Sequence, residues 1–274
     1  MATKPKEPVT DVTVVAEKPA GTLAVPSANR FAALAAQAKE AAALERPNLS
    51  KISLKSGVIT YGGHPVKDNR LPCIIMAASY KNALYKGRYD PNNIVNPNCF
   101  SLSEFDDDMV PDAVVTRPEA ESCTGCPMRE WGSDPGGGRG KACKETRRLI
   151  VLPASVLEDE DPIKAIKEGE LAIIDIPVMS VKFYSQYINI LSDSIGLPAW
   201  AVVTDVFTKP DPKSQFVVQF QGIKAAGGDD ILDALEARRA QAAKISLIGY
   251  DATAEEGEEG AEPAGKGTPV KRKF

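Results

Sequence analysis

This 274-residue chain lacks several features that would settle its class at once. It has one histidine, His64, and no internal repeat. The opening Met-Ala-Thr-Lys-Pro-Lys is not followed by an apolar run, so there is no secretory signal pattern. No stretch is long enough to cross a bilayer. The expected compartment is therefore the cytosol, where thiols stay reduced, and no membrane partner is expected. Five cysteines, an odd number, also argue against a disulfide framework. A formal charge of −4 does not by itself announce nucleic-acid binding.

The distribution of charge says more than its sum. Residues 129–148 hold six basic groups (Arg129, Arg139, Lys141, Lys144, Arg147, Arg148) against three acidic ones. Residues 251–262 hold six acidic groups and no basic one. An acidic tail thus masks a locally basic body. Hydrophobic content of 43% supports a real core, in one large domain or two small ones.

Four of the cysteines gather as Cys99-x23-Cys123-x2-Cys126-x16-Cys143. A Cys-x-x-Cys pair places two thiolates on one tight turn, half of a tetrahedral zinc site, and the outer two can supply the rest. A closed all-thiolate site has no open position, so a structural Zn2+ is expected there rather than a catalytic one. Free cytosolic thiols are the plain alternative. His64, in the turn Tyr-Gly-Gly-His-Pro, is a rival fourth ligand. Cys73, in Leu-Pro-Cys-Ile-Ile-Met, reads as an ordinary buried residue.

Two other patterns fall short. Gly136 to Lys141 invites comparison with a phosphate-binding P-loop, but Pro135 stands where the first glycine belongs and Ala142 where Ser or Thr must follow Lys. Asp106-Asp107-Asp108, with Glu104 and Asp112, could be a divalent-metal cluster of a nuclease. Consecutive acids cannot all converge on one ion, so a solvated acidic loop is expected.

Single-stranded nucleic acid is bound by a basic groove with aromatic faces for base stacking. Tyr80, Tyr85 and Tyr89 stand among Lys81, Lys86 and Arg88, and Trp131 stands beside Arg129. These residues, with Arg139, Lys141, Lys144, Arg147 and Arg148, are the candidate nucleic-acid contacts. The three tyrosines are equally compatible with a core role, and Trp131 with packing over the metal. Tyr184, Tyr187, Trp200, Phe216 and Phe220 are expected in the core.

Along the chain, residues 1–28 are expected to be disordered and 29–47 to form an Ala-rich helix stopped by Pro47. The body runs over 48–250, with a finger inserted at about 96–148. Short strands are expected around Ser56-Gly57, at Cys73–Ser79, Arg148–Leu152 and Leu171–Ile176, and as a hairpin about Pro210-Asp211-Pro212. Helices are expected after Asp161-Pro162, through Tyr184–Ile195, and from Asp229 to about Lys244. Residues 251–274 are expected to be an unfolded acidic tail with a basic end. The fold class is mainly β with some α. Short strands with Gly and Pro turns suggest an OB-like β-barrel carrying a four-cysteine zinc-finger subdomain.

The strings Cys-Thr-Gly-Cys-Pro-Met-Arg-Glu-Trp-Gly-Ser, Gly-Arg-Gly-Lys-Ala-Cys-Lys and Arg-Arg-Leu-Ile-Val-Leu resemble a bacteriophage and prophage protein family associated with single-stranded DNA binding. Tyr-Lys-Gly-Arg-Tyr-Asp-Pro, Asn-Pro-Asn-Cys-Phe-Ser, Tyr-Ile-Asn-Ile-Leu and Ala-Val-Val-Thr-Asp-Val fit as well, so the resemblance covers roughly residues 50–225. The broader analogy is to phage proteins of the T4 type, which set a zinc subdomain on an oligonucleotide-binding barrel with a histidine among the ligands. It implies sequence-independent binding of single-stranded DNA in phage replication and recombination, in the host cytoplasm and without catalysis. An acidic tail in such proteins recruits replication partners and competes with DNA. Glu255 to Glu262 would match, and Phe274 is similar to the end of the T7 type, although Lys271-Arg272-Lys273 is basic. The Ala-rich helix would join neighbouring copies. A zinc-stapled, nuclease-like enzyme and a virion or protein-interaction component are the alternatives.

Overall fold

The computed structural model describes residues 50–87 and 95–250, together with Arg30 and Leu34, both helical. The expected disordered tail 1–28, most of the Ala-rich helix, Arg88, Tyr89 and the acidic tail 251–274 lie outside the described residues. The chain divides into two units, Met1–Asn48 and Leu49–Phe274, and every described strand belongs to the second.

The elements of this second unit, in chain order, are β1 (Ser50–Ile52), β2 (Thr60–Tyr61), β3 (His64–Pro65), β4 (Arg70–Leu84), β5 (Cys99–Ser103), β6 (Lys144–Pro153), α1 (Pro162–Glu168), β7 (Ala172–Ile176), α2 (Val181–Ile190), β8 (Val202–Asp211), β9 (Gln215–Ala225) and α3 (Asp229–Ser246). Mainly β with some helix, the body matches the expected class at that level. Asp161 caps α1 by accepting the Lys164 N–H at 3.1 Å, with Pro162 at the first helical position, where its missing N–H costs nothing. Past α2 the helix widens through Leu191–Ile195 and stops at Gly196, whose φ of +71° a residue with a side chain adopts poorly.

Seven strands form one sheet in the order β1-β7-β6-β4-β8-β9, with β5 also beside β4. Among the described strands, only β1 and β7 run parallel. β4 is the spine. β6 follows one side of it, β8 pairs with its first part and β5 with its last. Alternation along the strands sorts the core into two layers. Leu71, Cys73, Ile75, Leu149, Val151, Ile174 and Val206 face one way and pack with Tyr184, Tyr187 and Leu191 around α2. Ile74, Met76, Ile150 and Leu152 face the other way, onto Ile166 of α1 and Leu235, Ala242 and Ile245 of α3. Full burial of each large aliphatic residue stabilises the fold by roughly 1.5–3 kcal/mol. Phe216 and Phe220 pack partly buried on the first layer and Trp200 on the second, in line with their expected core role.

The expected barrel is not closed. β1 has three residues and β9 leaves the far edge unpaired, so too little strand is available for backbone pairing between them. Side chains draw the first segment toward the β8–β9 hairpin instead. Asn69 accepts the Ile59 N–H at 2.6 Å and donates to the Gly57 carbonyl at 2.7 Å, and the Thr208 hydroxyl donates to the same carbonyl. Gly57, at φ +78°, lies so close to Phe216 that a Cβ there would stand 3.1 Å from the Phe216 Cβ.

Candidate metal centre and nucleic-acid interface

Between β5 and β6 the chain leaves the sheet and returns through the cysteine segment. Cys123-Thr-Gly-Cys126 makes a tight turn: the Cys126 N–H donates to the Cys123 carbonyl at 3.3 Å, and Gly125 supplies φ +75°. The Arg129 N–H closes the next turn onto the Cys126 carbonyl at 2.9 Å. Cys143 is tied across by its N–H to the Met128 carbonyl, also at 2.9 Å. Cys99 arrives on β5, paired with Leu84.

All four cysteines therefore line one cavity of about 20 Å³, which is room for a single ion or water. Burial pushes the Cys143 thiol up to about 12, and the thiols of Cys123, Cys99 and Cys126 push it further. Cys99 is raised for the same two reasons. Ser101 lines the cavity too, and its buried hydroxyl has no hydrogen-bond partner among the described residues. All five cysteines are free thiols. Among the described residues, however, no three His, Cys, Asp or Glu side chains stand close enough together to hold a metal ion. The thiols surround the cavity without being drawn to coordination spacing. His64 is exposed on the β2–β3 hairpin and does not line the cavity, and Cys73 is buried in the sheet core.

Arg129 does not face solvent as a phosphate contact would. Its Nε donates to Glu145 at 2.7 Å, Nη2 to Asp106 at 3.0 Å and Nη1 to the Cys123 carbonyl at 3.2 Å. Burial disfavours its charge, and Glu145 and Asp106 outweigh that and raise its pKa. Arg129 is thus the internal tie that locks the Cys123 turn to the acidic loop and to β6. Lys141 shares Glu145 at 2.9 Å.

The glycine-rich loop is organised by Asp134, a residue to which the sequence alone assigned no role. Its carboxylate accepts the Lys144 ammonium at 2.9 Å and the Gly136 N–H at 2.9 Å, which hold its pKa below the usual carboxylate range. Asp followed two residues on by Gly is the signal that was available for this turn. Trp131 stands out of the loop, 79% exposed, with the Lys141 ammonium 5.2 Å from its ring centroid. It does not pack over the cysteines, since it is not among the cavity's lining residues. Arg139 is exposed and makes no ion pair among the described residues.

The segment from Tyr80 separates by strand alternation. Tyr80 lies opposite Arg147, whose guanidinium stacks 3.4 Å from the ring centroid. Arg147 makes no ion pair among the described residues. Lys81 and Arg148 point to the other face, and both are buried. Lys81 donates to Asp175 at 2.8 Å and Arg148 at 3.2 Å, and Arg148 also reaches the Ile248 carbonyl. Burial pushes the Asp175 carboxyl up, and Lys81 and Arg148 outweigh it and hold it low. Tyr250 covers this cluster, its ring 5.0 Å from the Lys81 ammonium and its hydroxyl 3.3 Å from that of Tyr85. Tyr85 is exposed, and Lys86 makes a surface pair with Glu119 at 3.3 Å. The sequence-based interface therefore divides. Trp131, Arg139, Lys141 and Lys144 gather on the finger, Tyr80 and Arg147 form a stacked pair on the sheet, and Lys81, Arg148 and Arg129 are taken up internally.

Comparison with family models, with curated proteins and with solved structures finds no match for this chain.

Proposed function

We propose that this chain binds single-stranded DNA without sequence preference, and that the cysteine-pinned finger presents the principal contact. The observation that carries the reading is Trp131, 79% exposed, with Lys141 over its ring and, on the same loop, Arg139, which makes no ion pair among the described residues. Exposing a tryptophan so far forgoes most of its burial energy, and an aromatic face beside cations is what base stacking with phosphate neutralisation requires. Arg147 on Tyr80 supplies a second such pair. Lys141, Lys144 and Lys86 sit in partly exposed ion pairs, which are weak enough to exchange a carboxylate for a phosphate.

The fit of a structural Zn2+ rests on the donor set. Four thiols surround a cavity of one-ion size, and a bound cation would relieve the mutual repulsion that opposes their ionisation. Cys99, Cys123, Cys126 and Cys143 would hold it, and its part is to pin the finger. The reading assigns no catalytic step. The acidic tail would compete with DNA and recruit replication proteins, and the Ala-rich helix would join copies along the strand, in phage replication or recombination in the host cytoplasm. The test is binding of poly-dT at two salt concentrations, where affinity should fall steeply with salt as phosphate contacts release counterions. No preference for single strands over duplex at moderate salt would overturn the reading.

A further inference from the structure

Among the described residues, the helices that cover the outer face of the sheet pack away from the start of β4. α1 and α3 cover β4 and β6 around Met76, Ile150 and Leu152. At the other end of the same face, register places Arg70 opposite Phe207, Phe207 opposite Gln219, Asp205 opposite Gln221 and Lys209 opposite Val217. Val206 and Thr208 turn inward, to the core and to Gly57, so Phe207 faces outward. Its ring is half-buried, with the Arg70 guanidinium 4.4 Å from its centroid and the Lys209 ammonium at 5.3 Å.

Arg70 is held in place rather than loose. Its Nε donates to Asp205 at 2.6 Å, its Nη2 pairs with the same oxygen, and it reaches Gln221 at 3.4 Å. Asp205 is itself buried. A carboxylate under the sheet surface thus fixes a guanidinium beside an aromatic ring, with the exposed Lys209 near the same ring and two carboxamides along the edge strand.

We infer that this corner is a second contact surface for the same single-stranded nucleic acid, with Phe207 as the stacking platform and Arg70 and Lys209 as the phosphate contacts. The inference rests on the proposed function. An aromatic ring beside cations suits a base and its phosphates, and Gln219 and Gln221 can hydrogen-bond any base edge that lies over them. The corner and the finger lie at opposite ends of β4, Arg70 to Leu84, fourteen steps or roughly 45 Å at about 3.3 Å each before twist and bulge shorten it. A strand that reaches both must pass over α1 and α3, which cover the middle of this face, and the corner contributes without any contact to the finger.

The test uses the full chain and a fluorescein-labelled poly-dT of about 30 nucleotides, longer than the roughly 4–16 nucleotides one such site occupies. Phe207→Leu keeps an apolar side chain and removes the stacking face. It should weaken binding about 5- to 140-fold, the worth of one base–aromatic stack. Lys209→Gln changes only an exposed charge and should reduce the slope of log K against log salt by about 0.7. It carries the test by itself if Phe207→Leu impairs folding. A wild-type chain that binds, with both variants at wild-type affinity and slope, overturns the corner and leaves the finger reading standing. A wild-type chain that leaves poly-dT unbound overturns both.

Discussion

Replacing Asp175 by Asn tests the claim that Lys81 and Arg148 belong to the interior. Asp175 is 20% exposed and neutralises two side chains that are each 8% exposed, with Lys51 a third partner at 3.6 Å. Asn keeps the shape and one hydrogen bond but leaves two buried cations without a counter-charge. Breaking a buried pair from one side costs about 3–5 kcal/mol, and the retained hydrogen bond places Asp175→Asn near the lower end, about 3 kcal/mol. For a unit spanning Leu49–Phe274, at about 2–4 °C per kcal/mol, the melting temperature should drop by roughly 6–12 °C at pH 7. The native state holds the Asp175 carboxyl below its ordinary value, so this stabilisation is complete above the unfolded pKa of about 3.9. It is lost as pH falls through the lower folded value, and the gap between wild type and variant should close there. Lys144→Ala, which breaks the exposed Asp134 pair, is the control and should leave the melting temperature close to that of wild type. Thermal unfolding followed by circular dichroism reads all three. An Asp175→Asn protein melting within about 2 °C of wild type at pH 7 would refute the buried-cluster account.

Cys126→Ser should lower bound zinc from one per chain to a small fraction of that, measured by elemental analysis of purified protein, while the sheet core keeps its circular dichroism. Trp131→Ala should weaken poly-dT binding by roughly 5- to 140-fold in a fluorescence anisotropy titration, with stability within about 0.5 kcal/mol because the side chain packs on little. Arg147→Gln should reduce the salt slope of binding by about 0.7 and remove the stacked cation from Tyr80. Removing residues 251–274 should tighten binding at low salt, and unchanged affinity would remove the tail's role as a competitor.

Much of the fold is legible where one local signal dominates. Asp161-Pro162 announces α1, the Pro-Asp-Pro stretch the β8–β9 hairpin, and the 3.6-residue spacing of Tyr184, Tyr187 and Leu191 the buried face of α2 and of the turn that follows it. The gathering of four cysteines around one cavity is legible in their spacing. The barrel is not, because closure depends on how much strand remains at the two ends. β1 stops after three residues, and no local pattern around Ile52 announces that. The interface departs from expectation for a simpler reason. Residues 80–89 read as one basic aromatic stretch, yet β4 continues to Leu84 and a strand sends successive side chains to opposite faces. Tyr80 therefore meets Arg147 while Lys81 meets Asp175, and the Arg147-Arg148 pair splits in the same way. Asp175 itself carries no sequence signal, since it joins the cluster only through the register of β7 on β6.

The most direct test of the central claim is a titration of intrinsic tryptophan fluorescence with poly-dT at two salt concentrations, on protein whose zinc content has been measured. The account predicts one zinc per chain and a saturable quench that weakens with salt and that Trp131→Ala abolishes, leaving Trp200 as the remaining emitter. Zinc-loaded protein whose Trp131 emission does not respond to poly-dT at either salt concentration would contradict it.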